Sequence, residues 1–190
     1  MGERGFGRTT DGGIELRIHP VLVGPIGQMV GELTDLIATL DPETGDRVED
    51  PLAAMVGIEP DAGVPEDPAV ARLFPDAYVG DEESASEFRR FTRRTMRETK
   101  ARNADVLLRT LERAEVRLTL TEDEALAWLK ALNDVRLVLG SRLGITEENA
   151  HDTDDLDEID GTRYFYEILG YLQSSLIETL AGDELEPDLS

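Results

Sequence analysis

The residues best suited to chemistry in this sequence form a short basic run between positions 89 and 102. Seven Arg or Lys side chains stand there against one acid, Glu98, in a chain whose formal net charge is −22. Arginine carries a planar guanidinium that binds carboxylates and phosphates through two parallel hydrogen bonds. The run is therefore a candidate docking surface for an acidic protein partner or for a phosphate backbone.

A helical wheel places six of these cations on one side of a helix, within an arc of about 140°. They are Arg89, Arg90, Arg93, Arg94, Arg97 and Lys100. The opposite side is predicted to contact the protein body. It carries Phe88, Phe91, Thr95 and Thr99. Two interpretations stay open, because the cations would serve equally to bind an acidic partner or to pair with the chain's own carboxylates.

A second group of polar residues interrupts an otherwise apolar run between positions 121 and 145. Its candidate site residues are Asn133, Asp134, Arg136 and Arg142. Polar groups on a buried helix need partners, so we expect these four to fix the helix against loop or strand backbone groups. The alternative is a ligand site, since a buried Arg beside Asn has the chemistry to bind an anion.

The acidic segment at residues 151–160, HDTDDLDEID, is rich in oxygen ligands but does not fit a calcium loop. Positions that an EF-hand fills with an acid or with its glycine fall on Leu156 or Ile159. His19 and His151 are far apart in the sequence, and no motif of a phosphate loop, a dinucleotide site or a nucleophilic hydrolase occurs. We therefore expect no metal, no cofactor and no catalytic residues, and any enzyme would need a dispersed pocket.

Composition sets the outer limits. The chain has 190 residues and no cysteine, so one domain is expected and all thiol chemistry is excluded. No apolar run is expected to reach the roughly 20 residues that span a bilayer, and the N-terminus lacks the apolar segment of a secretory signal. These observations predict a cytoplasmic protein without a membrane partner. The high negative charge also disfavours nucleic acid, and the oligomeric state stays open.

The pattern of the N-terminal residues predicts a β-hairpin over residues 5–18. Two short apolar segments there flank Asp11, Gly12 and Gly13, which suit a tight turn. A lone hairpin is marginally stable, and alternating Leu118 and Leu120 indicate a third strand near residues 116–120. The predicted fold class is α+β and mostly helical, a helix bundle with a small antiparallel sheet.

Apolar residues at spacings of three and four predict the helices. One begins near Pro20 or Pro25 and ends near Leu40, a long one covers residues 82–112, one follows a capping box formed by Thr121 and Glu124, and the last covers residues 162–180. Between them we expect a proline-rich loop at 41–75 with helical turns at 51–57 and 68–74, and an acidic loop at 146–160. Residues 183–190 are predicted to form a frayed tail.

Three segments resemble the actinobacterial domain-of-unknown-function family 2017. They are LFPDAY at residues 73–78, the basic helix at 87–111 and WLKALNDVRLVLGSRLGI at 128–145. The hairpin and the last helix fit the same pattern, so the likeness covers nearly the whole chain. Most members of that family are uncharacterised, and some are described as transcriptional regulators linked to oxidative stress. The resemblance implies a regulatory or adaptor role, although regulation by cysteine oxidation cannot operate in this chain.

These observations together predict a non-enzymatic regulatory protein that acts through protein contacts, in transcriptional regulation or a stress response. The six cations of the basic run are its expected docking residues. The alternatives are an enzyme or small-anion-binding protein with a dispersed pocket, and a direct DNA-binding regulator.

Overall fold

A computed structural model describes residues 5–40, 65–75, 81–113, 117–146 and 161–182. Within these ranges the strands are β1 (Gly5–Arg8), β2 (Ile14–Arg17) and β3 (Arg117–Leu120). The helices are α1 (Pro20–Ala38), α2 (Pro68–Leu73), α3 (Glu82–Leu111), α4 (Glu122–Arg142) and α5 (Gly161–Ala181). The predicted α+β, mostly helical class is confirmed. The predicted turn at 51–57, the acidic segment at 151–160 and the tail at 183–190 lie outside the described residues.

The predicted hairpin and third strand form one antiparallel sheet with the order β1-β2-β3. Leu16 of β2 lies opposite Phe6 on one side and Leu118 on the other. Because side chains alternate between the faces of a strand, Leu16 and Leu118 are buried while Arg17 and Arg117 point to solvent. At the hairpin turn, Gly12 has a φ of 85°, a conformation that glycine adopts without strain.

Helix α5 covers the outer edge of the sheet. The Ser175 hydroxyl accepts a hydrogen bond from the Phe6 backbone N–H at 2.8 Å and donates to the Phe6 carbonyl at 3.3 Å. An open strand edge is a site of unwanted pairing between chains. Ser175 therefore satisfies backbone groups of β1 and fixes α5 against the sheet.

The capping box predicted at the start of α4 is present. The Thr121 hydroxyl accepts from the Glu124 N–H at 3.2 Å, and the Glu124 carboxylate accepts from the Thr121 N–H at 3.0 Å. Asp67 and Asp81 act in the same way at the starts of α2 and α3, where each accepts a hydrogen bond from a backbone N–H. Side-chain chemistry that is readable in the sequence thus fixes where these three helices begin.

The core forms around Trp128 on α4, which is fully buried. Its ring meets Phe6 of β1 edge to face, with the ring centroids 5.9 Å apart. Its indole N–H donates to the Thr110 hydroxyl of α3 at 2.7 Å. A buried indole needs a hydrogen-bond acceptor, and Thr110 supplies one while its own hydroxyl donates to backbone carbonyls of α3.

The expectation that no apolar run reaches the length of a membrane span was wrong at α1. Among the described residues, it is the one helix that is long and apolar enough to cross a bilayer, judged by length and composition alone. Core helices of soluble proteins meet the same criterion. Four of its side chains face the core, namely Ile26, Val30, Leu33 and Ile37.

Replacing Thr110 with valine is expected to lower the free energy of unfolding by about 1–3 kcal/mol, because it leaves the buried indole N–H without an acceptor. Thr179→Val is the matched control, since the buried Thr179 donates only to its own helix, to the Ser175 carbonyl. Denaturant unfolding followed by the fluorescence of the single tryptophan measures both. Equal losses in the two variants would contradict this role of Thr110.

Candidate polar groove between α3, α4 and α5

The basic run lies on α3, but the side of α3 that faces the protein interior is not the predicted one. Arg89 and Arg97 are only 4% and 8% exposed, whereas Phe91 is 53% exposed. The expectation that the phenylalanine side faces the protein body was wrong at Phe91 and Thr95, both of which point to solvent. The side that includes Arg89 and Arg97 faces inward instead, so it does not form an open docking surface at those positions.

Hydrogen bonding explains part of this inward orientation. The Arg97 guanidinium donates to the Leu40 carbonyl just beyond the end of α1, at 3.1 Å. Carbonyls at the end of a helix lack intrahelical partners and carry partial negative charge. The long aliphatic stem of arginine also covers apolar surface. A buried Arg97 can therefore pack its stem against apolar neighbours while its guanidinium satisfies the Leu40 carbonyl.

The other members of the run differ in exposure. Arg93 is half-buried, and Arg94 is exposed and forms an ion pair with Glu98 at 3.0 Å. The backbone of Arg90 lies on α3, and its side chain is outside the described part of the chain. At Arg94 the pairing agrees with the alternative in which these cations neutralise the chain's own carboxylates.

Lys100 makes the central contact of the region. Its ammonium donates to the Asp134 carboxylate of α4 at 2.6 Å, and only 17% and 5% of the two side chains are exposed. The ammonium also lies 5.8 Å from the centroid of the Phe74 ring. Burial raises the pKa of Asp134, and the hydrogen bond and charge of Lys100 oppose that rise. A buried carboxylate thus depends on one cation.

A groove opens beside this ion pair, with a volume of about 530 Å³. Met96 of α3, Leu129 of α4 and Ile177 of α5 supply its apolar surface. Polar groups surround them. They are Thr95, Thr99, Lys100, Asn103, Lys130, Asn133, Asp134 and Gln173. The groove is therefore amphipathic, with an apolar surface and amide groups that both donate and accept hydrogen bonds.

Arg136 supports one wall of the groove from behind. Its guanidinium lies over the Tyr166 ring, 4.7 Å from the centroid, and donates to the Gln173 side chain at 2.6 Å. Gln173 in turn donates to Asn133 at 3.3 Å. The guanidinium lies where Gly170 has no side chain, since a Cβ there would meet it at 3.4 Å. Arg136 therefore ties α4 to α5 and orients the amides.

The four polar residues predicted as one site separate into two places. Asn133 and Asp134 line the groove, and Arg136 reaches it through Gln173. Arg142 lies elsewhere and donates to the Asp67 carboxylate at 2.6 Å. The Ala69 backbone N–H, and then Arg142, hold the pKa of Asp67 below its usual value. The contacts of Asp134, Arg136 and Arg142 are thus to side chains on α3 and α5 and to Asp67 before α2, rather than to the loop or strand backbone groups that were expected.

Several groove residues were not identified from the sequence. Met96, Asn103, Leu129, Gln173 and Ile177 line it, and none was proposed as a site residue. Ile177 carried a usable signal, because it is an apolar residue that falls outside the buried stripe of α5 and is 48% exposed. No comparable signal marks Gln173, which meets Asn133 only through tertiary packing.

Within residues 5–40, 65–75, 81–113, 117–146 and 161–182, no group of three or more acidic or histidine side chains lies close enough to hold a metal ion. The acidic segment at 151–160 is not among these residues. The described part of the groove also pairs its one carboxylate with an ammonium, which is the arrangement of an ion pair and not of a cation site.

The fold and the groove together define a mostly helical α+β protein with an amphipathic groove between three helices. Residues 3–180 match the model of the family described as Domain of unknown function (DUF2017), and the chain belongs to this family. The resemblance noted in the sequence is therefore confirmed.

Three mycobacterial proteins illustrate the relatives of the chain. The AosR protein of Mycobacterium leprae is 34% identical over 142 residues, which cover 67% of this chain and 64% of the relative. The proteins named oxidative stress regulator AosR in Mycobacterium tuberculosis and Mycobacterium bovis are 31% identical over 161 residues, or 77% of this chain and 74% of theirs. The chain thus spans less than two thirds of the first relative. No solved structure shows a significant match.

Replacing Lys100 with methionine is expected to lower the free energy of unfolding by about 3 kcal/mol near neutral pH, because it leaves a buried carboxylate without its cation. Burial already raises the pKa of Asp134, and losing Lys100 raises it further. A carboxyl whose folded pKa lies above its unfolded value loses stability as pH rises through the folded pKa. The deficit should therefore shrink as pH falls from neutral toward the ordinary aspartate pKa of 3.8.

Adding Asp134→Asn to Lys100→Met should restore most of this stability, since neither position then buries an unpaired charge. Arg94→Met is the control, because its pair with Glu98 is exposed and should contribute little. Denaturant unfolding at the two pH values measures all four proteins. A double variant as unstable as Lys100→Met would show that the ion pair is not the cause.

Arg136→Met is expected to cost about 1–3 kcal/mol, because it removes a charge-assisted hydrogen bond and the contact with Tyr166. Arg142→Met should cost less, since its pair with Asp67 is more exposed. Thermal unfolding compares the two. If Arg136→Met kept full stability but lost a small molecule seen by native mass spectrometry in the wild type, Arg136 would be a ligand-binding residue instead.

Proposed function

We propose that this chain is a regulatory protein of the oxidative stress response that acts without catalysis, by binding another protein. Support comes first from family membership and from relatives that are named oxidative stress regulators. The name belongs to those proteins, and we extend it here. Cytoplasmic location stays a prediction from composition.

The groove is the observation that carries the proposal. Its apolar residues lie between three helices, the geometry in which proteins bind the apolar face of a partner helix. Ile177 is 48% exposed there, although burying a large aliphatic side chain away from water is favourable. The amides of Asn103, Asn133 and Gln173 add hydrogen-bonding groups for the polar edge of such a helix.

Charge selects the kind of partner. The chain carries a formal net charge of −22, yet among the described residues that line the groove, Lys100 and Lys130 stand against the single acid Asp134. Asp134 is already neutralised by Lys100, so Lys130 gives the groove a local positive charge. A partner with acidic residues meets less repulsion here than a −22 net charge alone would impose. We therefore assign the groove an amphipathic partner helix whose edge beside Lys130 is acidic.

This assignment moves the expected docking site without changing the expected partner. An acidic protein was predicted for the basic run of α3, but Arg89 and Arg97 are buried. The groove lies on the other side of the Lys100 contact, where exposed apolar surface and a lysine occur together. Binding through the remaining basic residues is the competing arrangement, and the experiment below separates the two.

A photo-crosslinking residue placed at position 177 in the whole chain is expected to capture a partner protein through an acidic amphipathic helix. The same residue at position 126 is the matched control, because Leu126 is also exposed but does not line the groove. Mass spectrometry identifies the crosslinked peptide. The partner is then purified and titrated against variants by calorimetry.

Ile177→Asp should weaken binding of that purified partner at least about tenfold, or 1.4 kcal/mol, while Leu126→Asp and Arg94→Glu leave it nearly unchanged. Retained binding in Ile177→Asp with loss in Arg94→Glu would place docking on the basic side of α3. Equal crosslinking at 177 and 126 would contradict the groove. Steeply salt-dependent binding to DNA would favour the DNA-binding alternative.

A further inference from the structure

Oxidative regulation in this chain requires an oxidisable group other than a thiol, because the sequence contains no cysteine. The thioether of methionine is such a group, since peroxides convert it reversibly to a sulfoxide. The sequence has four methionines. Met29 and Met96 lie in the described residues, on α1 and α3. This inference rests on the proposed function, and it concerns the same groove.

Met96 lies where a change of side-chain polarity alters the surface of the groove. It lines the groove together with Leu129 and Ile177. It also borders a small cavity of about 10 Å³ that Phe74 and Phe88 line as well. Its side chain is partly buried and packs against the core, but the groove opens to solvent and gives a small oxidant access to it.

Met96 and Lys100 are neighbours on one face of α3, because residues four apart in a helix lie one above the other. Both line the groove. Lys100 is the cation that holds the buried Asp134 at 2.6 Å. A polar oxygen introduced on the sulfur of Met96 would therefore lie within the surroundings of the Lys100 ammonium.

We propose that Met96 is an oxidation site whose sulfoxide alters the groove. In the reaction with hydrogen peroxide, the Met96 sulfur attacks one peroxide oxygen, the S–O bond forms and the O–O bond breaks. The departing hydroxide takes the proton of the transferred hydroxyl and leaves as water. The sulfur is oxidised by two electrons and the peroxide is reduced by two, so no further reactant is needed.

The sulfoxide acts in two ways. It replaces an apolar part of the groove surface with a polar one, which removes the match to the apolar face of a partner helix. Its oxygen also accepts hydrogen bonds and competes with Asp134 for the Lys100 ammonium. Since a buried carboxylate that loses its cation is destabilising, oxidation of Met96 weakens the contact between α3 and α4.

The test treats the purified whole chain with graded hydrogen peroxide and follows each methionine by peptide mass spectrometry. Met96 sulfoxide should accumulate in the folded chain, and the unfolding midpoint should fall by at least about 3 °C as it does. Methionine sulfoxide reductase should restore it. Met96→Leu keeps nearly the same volume and should resist the shift, whereas the matched Met29→Leu should respond as the wild type does.

A Met96 that stays unoxidised in the folded chain, an unchanged midpoint after Met96 is oxidised, or an equal shift in Met96→Leu would each overturn the proposal. None of these measurements uses a partner, so a failure of partner docking at Ile177 leaves this result standing. Conversely, a Met96 that resists peroxide leaves the docking assignment intact. The two inferences therefore fail separately.

Discussion

The ion pair between Lys100 and Asp134 is the constraint on which the arrangement of the helices depends. It joins the longest described helix, α3, to the core helix α4 across 2.6 Å, and almost none of the carboxylate is exposed. Once Lys100 points inward, the rotation of α3 is fixed. Arg97, three residues earlier on the same face, then reaches the Leu40 carbonyl, and Phe91 is left on the solvent side.

A buried ion pair is not a simple source of stability, because removing two charges from water offsets much of their attraction. The raised pKa of Asp134 reflects that cost. The ion pair matters here because it can form in only one orientation of α3 against α4. This orientation also forms the groove, since Lys100 and Asp134 line it. The same contact thus sets the fold and the candidate binding surface, and a sulfoxide at Met96 would act on both.

Much of the fold could be predicted because it depends on local chemistry. Patterns of a few residues predict the hairpin turn at Gly12, the strand with Leu118 and Leu120, and the start of α4 at Thr121. Which face of the basic helix α3 is buried could not be predicted in this way. A helical wheel shows which residues share a face, but not which face is buried, and the usual assignment of phenylalanine inside and arginine outside fails at Phe91 and Arg89. The groove could not be predicted either, because Gln173 is far from Asn133 in the sequence and meets it only through tertiary packing.

The most direct measurement of this account is the pKa of Asp134 in the folded wild-type chain, followed by the ¹³C chemical shift of its carboxyl carbon during a pH titration. Asp134→Asn identifies the signal. The buried, lysine-bound carboxyl is expected to titrate above its ordinary value of 3.8. Because Lys100 opposes that rise, the pKa of Asp134 is expected to rise further in the Lys100→Met variant. An unchanged Asp134 pKa in Lys100→Met would show that the two groups do not interact, and it would contradict the inward orientation of α3 that the ion pair is said to fix.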